Sequence, residues 1–197
     1  SSKSLTSVGN CLGTISLAQV NEDIAWPKKF RIDNGEEMAI ALIANGDNIR
    51  DLSSGLLDSI HDKGYIIPRK FVGSAFTYYT DSPTAVAVTS DFAYIENNRT
   101  IDKAIRGLRI GVQPELNSPL KVNSDGTLSD ETIAVFIDLS KKPLQDMQNS
   151  NEISAFSVVI DSAQDVLATS ELVISVLVVP YGTARQIKFN IGFSKSV

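Results

Sequence analysis

A strand pattern near the C-terminus limits the fold more than any other feature of the sequence. Three segments are predicted as strands: residues 154–161, 171–179 and 186–193. The second is an almost continuous apolar run, which predicts a strand buried on both faces. The third alternates, because apolar side chains occupy every odd position from Ile187 to Phe193 and so share one face. A turn at Pro180 to Thr183 separates the second strand from the third.

A long amphipathic helix is predicted upstream of these strands. Ser90 and Asp91 are good N-cap residues for its start, and it ends near Val112, just before Pro114. Four apolar residues form one narrow stripe along it: Ile101, Ile105, Leu108 and Val112. This stripe is the predicted contact between the helix and the rest of the fold.

The remaining segments predict further helices and a second pair of strands. The predicted helices cover residues 4–19, 51–63 and 129–140, the predicted strands cover residues 65–69 and 74–79, and residues 36–44 suit either state. Pro143 either kinks the helix that begins at Ser129 or starts another one. The predicted fold class is therefore α+β, with mixed or antiparallel sheets packed against helices.

The loop around Asp81 to Pro83 is the predicted boundary between two small subdomains. Residues 1–82 would form a partial α/β subdomain and residues 83–197 an α+β domain. A chain of 197 residues is long enough for one domain or two small ones. Because the sequence opens on Ser1 rather than Met, we also expect it to be a fragment of a longer protein.

The composition argues against several classes of partner. The net charge is −5, so the chain lacks the basic footprint that binding to nucleic acid requires, and no nucleic-acid partner is predicted. No run approaches the roughly 20 apolar residues of a membrane-spanning helix, so no membrane partner is predicted either. The single cysteine, Cys11, cannot form an internal disulfide, and we expect synthesis in the cytoplasm.

Motifs for catalysis are scarce. His61 is the one histidine, and its place at the end of a predicted helix favours a structural cation near the helix dipole. The sequence has no Gly-x-Ser-x-Gly elbow, no His-Glu-x-x-His pair and no phosphate loop. We therefore predict no catalytic, cofactor-binding or metal-binding residues and no cofactor. A small hydrolase or ligand-binding domain that uses His61 with a nearby carboxylate remains the alternative of another class.

A basic stripe lies on the long predicted helix. Arg99, Lys103 and Arg106 recur at helical spacing opposite the apolar stripe, and Arg109 extends them at the margin. On an acidic chain such a stripe can dock an acidic partner. The alternative is a solvated helix face that Glu96 and nearby acids partly neutralise.

Several strings together resemble one family of structural proteins. They are residues 97–106 (NNRTIDKAIR), 152–154 (EIS), 166–170 (VLATS), 179–184 (VPYGTA) and 191–193 (IGF). Their order is similar to the C-terminal region of contractile phage tail sheath proteins, most of all the sheath-like proteins of phages and prophages of Bacteroides-type bacteria. Relative to that family, the N-terminal arm and most of the outer domain are absent from this sequence.

The resemblance implies a structural subunit and not an enzyme. Such subunits assemble around a tail tube, and strands from neighbouring subunits complete a small sheet on a third, which is β-augmentation. It implies other sheath subunits, the tail tube protein and baseplate proteins as partners, and a location in the virion tail after synthesis in the bacterial cytoplasm. It makes residues 83–197 the sheath C-terminal domain and residues 1–82 a remnant of the middle domain.

The resemblance also assigns roles to two sets of residues. The subunit interface is expected at the last strand and tail: Gln186, Ile187, Lys188, Phe189, Asn190, Ile191, Gly192 and Phe193. The tube-facing set is expected to be Arg99, Lys103, Arg106 and Arg109. A sheath component of a related contractile injection or secretion system is the nearest alternative function.

Overall fold

The computed structural model describes residues 8–32, 43 and 45–194. Its helices are α1 (Val8–Leu17), α2 (Ser54–Asp62), α3 (Ile95–Val112), α4 (Asp130–Asn149) and α5 (Val166–Thr169). Its strands are β1 (Pro68–Lys70), β2 (Thr77–Tyr79), β3 (Ile153–Val159) and β4 (Ser175–Pro180). β1 pairs with β2 and β3 with β4, both antiparallel, so the predicted α+β class with antiparallel sheets is confirmed.

The N-terminal part of the described chain surrounds a small core of its own. Ala18, Ile24, Phe30 and Tyr79 are buried together, with α1 and the β1–β2 pair on its sides. The predicted helix at residues 4–19 is found as α1, but Leu12 on its predicted buried face is largely exposed. Residues 1–7 and the ambiguous stretch at 36–44, apart from residue 43, lie outside the described residues.

Short-range signals account well for α2. The Ser53 hydroxyl accepts a hydrogen bond from the Leu56 N–H, which satisfies one of the free donors at the start of the helix. Gly64 follows the last turn with a φ of 81°, a left-handed conformation that glycine adopts without a Cβ penalty. The helix therefore ends before Gly64 as predicted, but it begins at Ser54 and not at the predicted residue 51.

The start of α3 differs from the prediction. Ser90 does not cap the helix, because its hydroxyl accepts a bond from the Phe92 N–H inside a local turn. The helix begins at Ile95, whose N–H donates to the Ser82 carbonyl. A bridge between Pro83 and Tyr94 holds the preceding segment extended, so the N-cap signal at residues 90–91 serves a turn and not the helix.

Small residues bring α3 and α4 close together. The face of α3 that becomes buried carries Glu96, Thr100 and Ala104, whereas Ile105 from the predicted apolar stripe is 40% exposed. At Gly107 an added Cβ would lie 2.9 Å from the Pro143 Cβ, well inside ordinary carbon–carbon contact. Bare backbone at the crossing therefore decides which face of α3 packs, and the predicted stripe is only partly buried.

Pro143 lies inside a continuous α4. The helix therefore runs to Asn149, past its predicted end at residue 140. Proline has no N–H to donate to the carbonyl four residues earlier, which here belongs to Leu139. That carbonyl oxygen lies 3.0 Å from the position that a Cβ on Gly111 would occupy. The close approach of α3 therefore covers the part of α4 where the helix ladder is interrupted.

The β3–β4 pair covers the two long helices. Side chains on one face of the pair join a cluster with Ala104, Leu144, Met147 and Ile153. β4 begins at Ser175, later than the prediction, because Val173 is bonded at both its N–H and its carbonyl by the Gln164 side chain. A further cluster, centred on Leu128, Phe136 and Ile160, continues the core toward the start of α4.

Candidate assembly surface

The β3–β4 pair, called the ribbon below, is apolar on both faces. Its inner face carries Phe156, Val158, Val176 and Val178, which are half-buried against the helices. On the outer face, Leu177 is 73% exposed and Val179 is 51% exposed. The prediction that this segment is buried on both faces is thus wrong for the single chain, because nothing in the described residues covers the outer face.

Both edges of the ribbon are open. The described sheet contains only β3 and β4, so each strand has a paired edge and an edge without a strand partner in this part of the chain. An open edge presents unpaired N–H and C=O groups to any extended segment that can reach it. A two-stranded sheet is marginal on its own, so its stability depends on the helices beneath it or on further strands.

Residues 186–193, called the C-terminal arm below, form no strand in the described structure, which corrects the prediction of a third strand in the chain's own sheet. The whole segment is exposed. Its odd positions are the large apolar ones, and Phe189 is 80% exposed. The predicted interface residues Gln186 to Phe193 therefore lie together in one exposed segment, with a strand-like alternation and no strand beside it among the described residues.

Arg185 immediately precedes the arm and inserts into a cluster of buried acids. Its Nε donates to both carboxylate oxygens of Asp81, at 2.9 and 3.1 Å, and its Nη2 donates to Glu96. The Asp23 carboxylate lies 3.7 Å from Nη2, and the guanidinium stacks 3.4 Å from the centre of the Tyr94 ring. We call these four partners of Arg185 the arginine socket.

The electrostatics of the socket are unbalanced. One guanidinium faces three carboxylates of residues that are each less than 10% exposed. Burial opposes the charged form of Arg185, but the carboxylates of Asp81 and Glu96 more than offset this and raise its pKa. Burial, and after it the charges of Glu96 and Asp81, raise the pKa of Asp23 to about 7, against the lowering effect of the bond from the Ala25 N–H.

The raised pKa of Asp23 makes the folded chain less stable as the pH rises. The folded chain holds a proton on Asp23 up to about pH 7, whereas an unfolded chain, in which the carboxyl has its ordinary pKa of 3.8, loses the proton near pH 3.8. Between these values the folded state binds more protons, so the free energy of unfolding falls as the pH rises from about 4 to about 7. Above that window the loss is complete.

Two residues of the basic stripe, Arg99 and Lys103, bind partners within the described chain. Arg99 donates to the carbonyls of Ala18 and Gln19 at 2.9 and 3.1 Å, just beyond the C-terminal end of α1, where a cation is favoured. Lys103 forms an ion pair with Glu152 at 2.5 Å. Both residues therefore hold the fold together, which differs from the expectation of a stripe turned wholly outward.

The other two members of the stripe are free to meet a partner. Arg106 and Arg109 are exposed, and their side chains form no ion pair or hydrogen bond with any described residue. Ile110, one residue beyond Arg109, is 72% exposed. The outward side of α3 thus combines two free cations with exposed apolar surface, which is typical of a protein-docking face.

His61 does not assemble a catalytic group in the described residues. Its side chain makes no hydrogen bond or ion pair there, and its Nδ1 is buried without a partner. An open apolar hollow lies between α1 and residues 64–66, with Cys11, Tyr65 and Tyr79 among its lining residues. None of the described residues that line it is a histidine or a carboxylate.

Two further kinds of site are absent from residues 8–32, 43 and 45–194. No group of three or more histidine, cysteine, aspartate and glutamate side chains is arranged there to hold a metal ion. None of the described helices is both long and apolar enough to cross a bilayer.

Sequence reasoning missed the arginine socket completely. Asp23, Asp81 and Arg185 are more than fifty positions apart along the chain, and each lies in a segment that reads as a turn or loop. Charged residues in loops are ordinarily solvated, so no local signal distinguished these. The tertiary structure alone brings them together.

One protein family and several solved structures are similar to this chain. Residues 91–197 match the family described as DUF2586, C-terminal domain. No curated protein matches the chain. Among solved structures, the fold is similar to a chain of the anti-feeding prophage (AFP) baseplate, with a TM-score of 0.58 and 18% identity over 78% of this chain and 43% of that one.

Two sheath structures are also similar. One is a chain of the AFP helical sheath in the contracted state, with a TM-score of 0.56, 17% identity, and coverage of 74% of this chain and 40% of that one. The other belongs to the sheath complex of PVC, an extracellular contractile injection system, in the contracted state, with a TM-score of 0.60, 12% identity, and coverage of 79% and 44%. At these identities the likeness concerns the fold, and this chain spans less than half the length of each.

Proposed function

The chain belongs to the DUF2586 family, and on that premise and the fold it shares with chains of contractile-sheath assemblies we propose that it is a structural subunit of a contractile sheath. We place it in the tail of a contractile phage or prophage, with a sheath of a related injection or secretion system as the second candidate. The finer likeness to sheaths of Bacteroides-type phages stays a prediction.

One observation carries the proposal, namely an incomplete sheet beside an unpaired strand-like arm. The ribbon has an open edge on each strand, and the arm leaves the same chain a few residues after β4. An extended segment that joins an open edge gains main-chain hydrogen bonds largely independent of its side chains. We propose that the arm of one subunit extends the ribbon of another and that this β-augmentation links the polymer.

The side chains of the arm favour the same arrangement. When the arm is added as a strand, its odd positions, from Ile187 to Phe193, turn to one face of the extended sheet. Burial of each such Ile or Phe gains roughly 1.5–3 kcal/mol relative to exposure. The even positions, which include Lys188 and Asn190, then turn to the polar face. An isolated subunit leaves all of this apolar surface in water, which is unfavourable unless a partner covers it.

The outward side of α3 is the proposed contact with the tail tube. Arg106 and Arg109 are the two members of the basic stripe that bind nothing in the described chain, so they replace the predicted set of four as the tube-facing cations. Other sheath subunits, the tube protein and the baseplate are the proposed partners. The proposed place of the protein is the tail of the particle, after synthesis in the bacterial cytoplasm.

The proposal is tested with paired substitutions in the arm of the full-length protein. Ile187→Ser with Phe189→Ser removes apolar side chains from the odd face, whereas Lys188→Ser with Asn190→Ser changes the even face and serves as the control. We expect the odd pair to abolish tubes and rings in negative-stain electron microscopy while circular dichroism stays unchanged. The even pair should assemble as the parent does, because its side chains face away from the proposed contact.

The opposite pattern would contradict the proposal. If both pairs assemble normally, the arm is not the linking strand. If wild-type full-length protein is a closed monomer that turns over a small molecule, the sheath function itself fails and the His61 alternative returns. No observation supports that alternative, since His61 has no carboxylate partner among the described residues.

A further inference from the structure

The arm could in principle pair with its own ribbon. β4 ends at Pro180, and residues 181–185 are long enough to form the loop of a β-hairpin. The free edge of β4 would accept such a strand, and the alternation of the arm suits it. A hairpin of this kind would close one edge and cover apolar side chains within a single chain. It is not formed in the described structure.

The arginine socket fixes the chain at the point where this hairpin would have to turn back. Two side chains of the loop at residues 181–185 bond to the folded body: the Tyr181 hydroxyl donates to Asn151 at 3.3 Å, and Arg185, next to the arm, enters the socket. Arg185 reaches Asp81, which follows β2, and Glu96 in the first turn of α3. The loop that would form the hairpin turn is therefore anchored to α3 and β2.

Leaving the socket is costly for the folded chain. The guanidinium would give up a bifurcated bond from its Nε to Asp81, a charge-assisted bond to Glu96 and its stacking on Tyr94. It would also leave buried carboxylates without a counter-charge, and removal of one partner from a buried ion pair is strongly unfavourable. The Glu96 carboxylate keeps a bond from the Ser82 hydroxyl when the arginine is absent.

We propose that Arg185 is a positioning residue, and that its seat in the socket keeps the C-terminal arm from closing onto its own ribbon and so leaves the arm available to a second copy of the chain. This inference rests on the proposed strand exchange and adds to it a reason why the exchange occurs between copies. The socket thereby selects the polymer over the closed monomer.

The test compares amide hydrogen exchange and assembly in the full-length protein. Arg185→Ala removes the anchor. Lys141→Ala is the matched control, because it removes one positive charge from an exposed side chain of α4, outside the ribbon and the arm, that has no ion pair among the described residues. We expect amides of residues 186–193 in the unassembled variant to exchange about tenfold or more slowly than in unassembled wild type, since they become protected in a hairpin. We expect assembled polymer to fall in parallel, and the control to match wild type in both readouts.

A second variant guards against loss of folding. Arg185→Ala combined with Asp81→Asn removes one orphaned charge and keeps an amide oxygen to accept the bond from the Ser82 N–H. The inference is overturned if the arm stays unprotected and polymer forms at the wild-type level in both variants, or if both variants unfold, because Arg185 then serves the fold and not the arm. Absence of polymer in the wild type itself is a different result, since it refutes the proposed function before the socket is tested.

Discussion

Substitution of Gly107 by alanine tests the close packing of α3 against α4, on which the position of the ribbon depends. The change adds one methyl group in the middle of an 18-residue helix. Taken alone, it should stabilise the fold, because glycine inside a helix costs roughly 0.5–1 kcal/mol relative to alanine. The surroundings decide the outcome, since the new Cβ lies 2.9 Å from the Pro143 Cβ.

The steric cost exceeds the gain in helix propensity. Carbon atoms in contact prefer about 3.5–4.0 Å, so the pair would be roughly 0.6 Å too close. Neither atom can move alone, because one is fixed to a helix backbone and the other belongs to a proline ring. Overpacking of this kind costs about 1–3 kcal/mol, and a rigid contact belongs in the upper part of that range. We expect a net loss of about 1–2 kcal/mol in the free energy of unfolding, after the propensity gain is subtracted.

Gly13→Ala is the matched control. Gly13 lies inside α1 and has nothing within 4 Å of an added Cβ, so the same substitution should stabilise by the propensity term alone. Urea denaturation followed by circular dichroism measures both variants, with a separation of about 2–3 kcal/mol between them. If Gly107→Ala proves as stable as Gly13→Ala, the two long helices do not touch through bare backbone and the reasoning is refuted.

Three further changes test the electrostatics. Asp23→Asn should raise the free energy of unfolding by about 1–3 kcal/mol at pH 8 and lose this advantage toward pH 4, since it mimics the protonated carboxyl whose pKa is about 7 in the folded chain; a variant no more stable than wild type at pH 8 in denaturant titrations would contradict this. Arg99→Ala should lower the melting temperature by a few degrees, because it removes two hydrogen bonds to carbonyls beyond α1. An unchanged melting temperature would show that these two bonds do not stabilise the fold. Arg106→Glu with Arg109→Glu should leave the melting temperature unchanged and abolish co-sedimentation of the sheath with its tube, whereas retained binding would remove α3 from the tube contact.

The sequence predicted the elements whose signals are local. Gly64 ends α2 as predicted, because a left-handed glycine acts within one turn, whereas the Ser53 cap starts the helix later than the predicted residue 51. The β1–β2 pair and β3 follow from short β-rich runs. Ser90 misled the prediction for α3, because a hydroxyl that can cap a helix can equally close a turn, and the choice depends on the contact of Tyr94 with Pro83.

Longer-range features could not be predicted from patterns. The periodicity of α3 gave the apolar stripe as its buried face, but Gly107 and Ala104 allow a closer approach than the isoleucines do. Residues 186–193 alternate between apolar and polar side chains, as a strand does. The prediction that they pair within the chain is wrong for the described residues. Alternation shows that a segment can join a sheet, and it does not reveal which copy of the chain supplies that sheet.

The candidate site shows the same division. The arm was predicted by residue number from its resemblance to sheath proteins, whereas the arginine socket depends on acids from three distant segments and has no sequence signature. The domain boundary at residues 81–83 stays a prediction. Asp81 and Ser82 are buried there, and both contact partners on the far side of the proposed boundary.

Cryo-electron microscopy of assembled full-length protein tests the central claim most directly. The account predicts a polymer in which residues 186–193 of one subunit form a strand on an open edge of the β3–β4 ribbon of another, with Arg185 seated in the socket of its own chain. A particle in which the ribbon edges are closed by the subunit's own residues, or in which the arm contacts no other subunit, would contradict it.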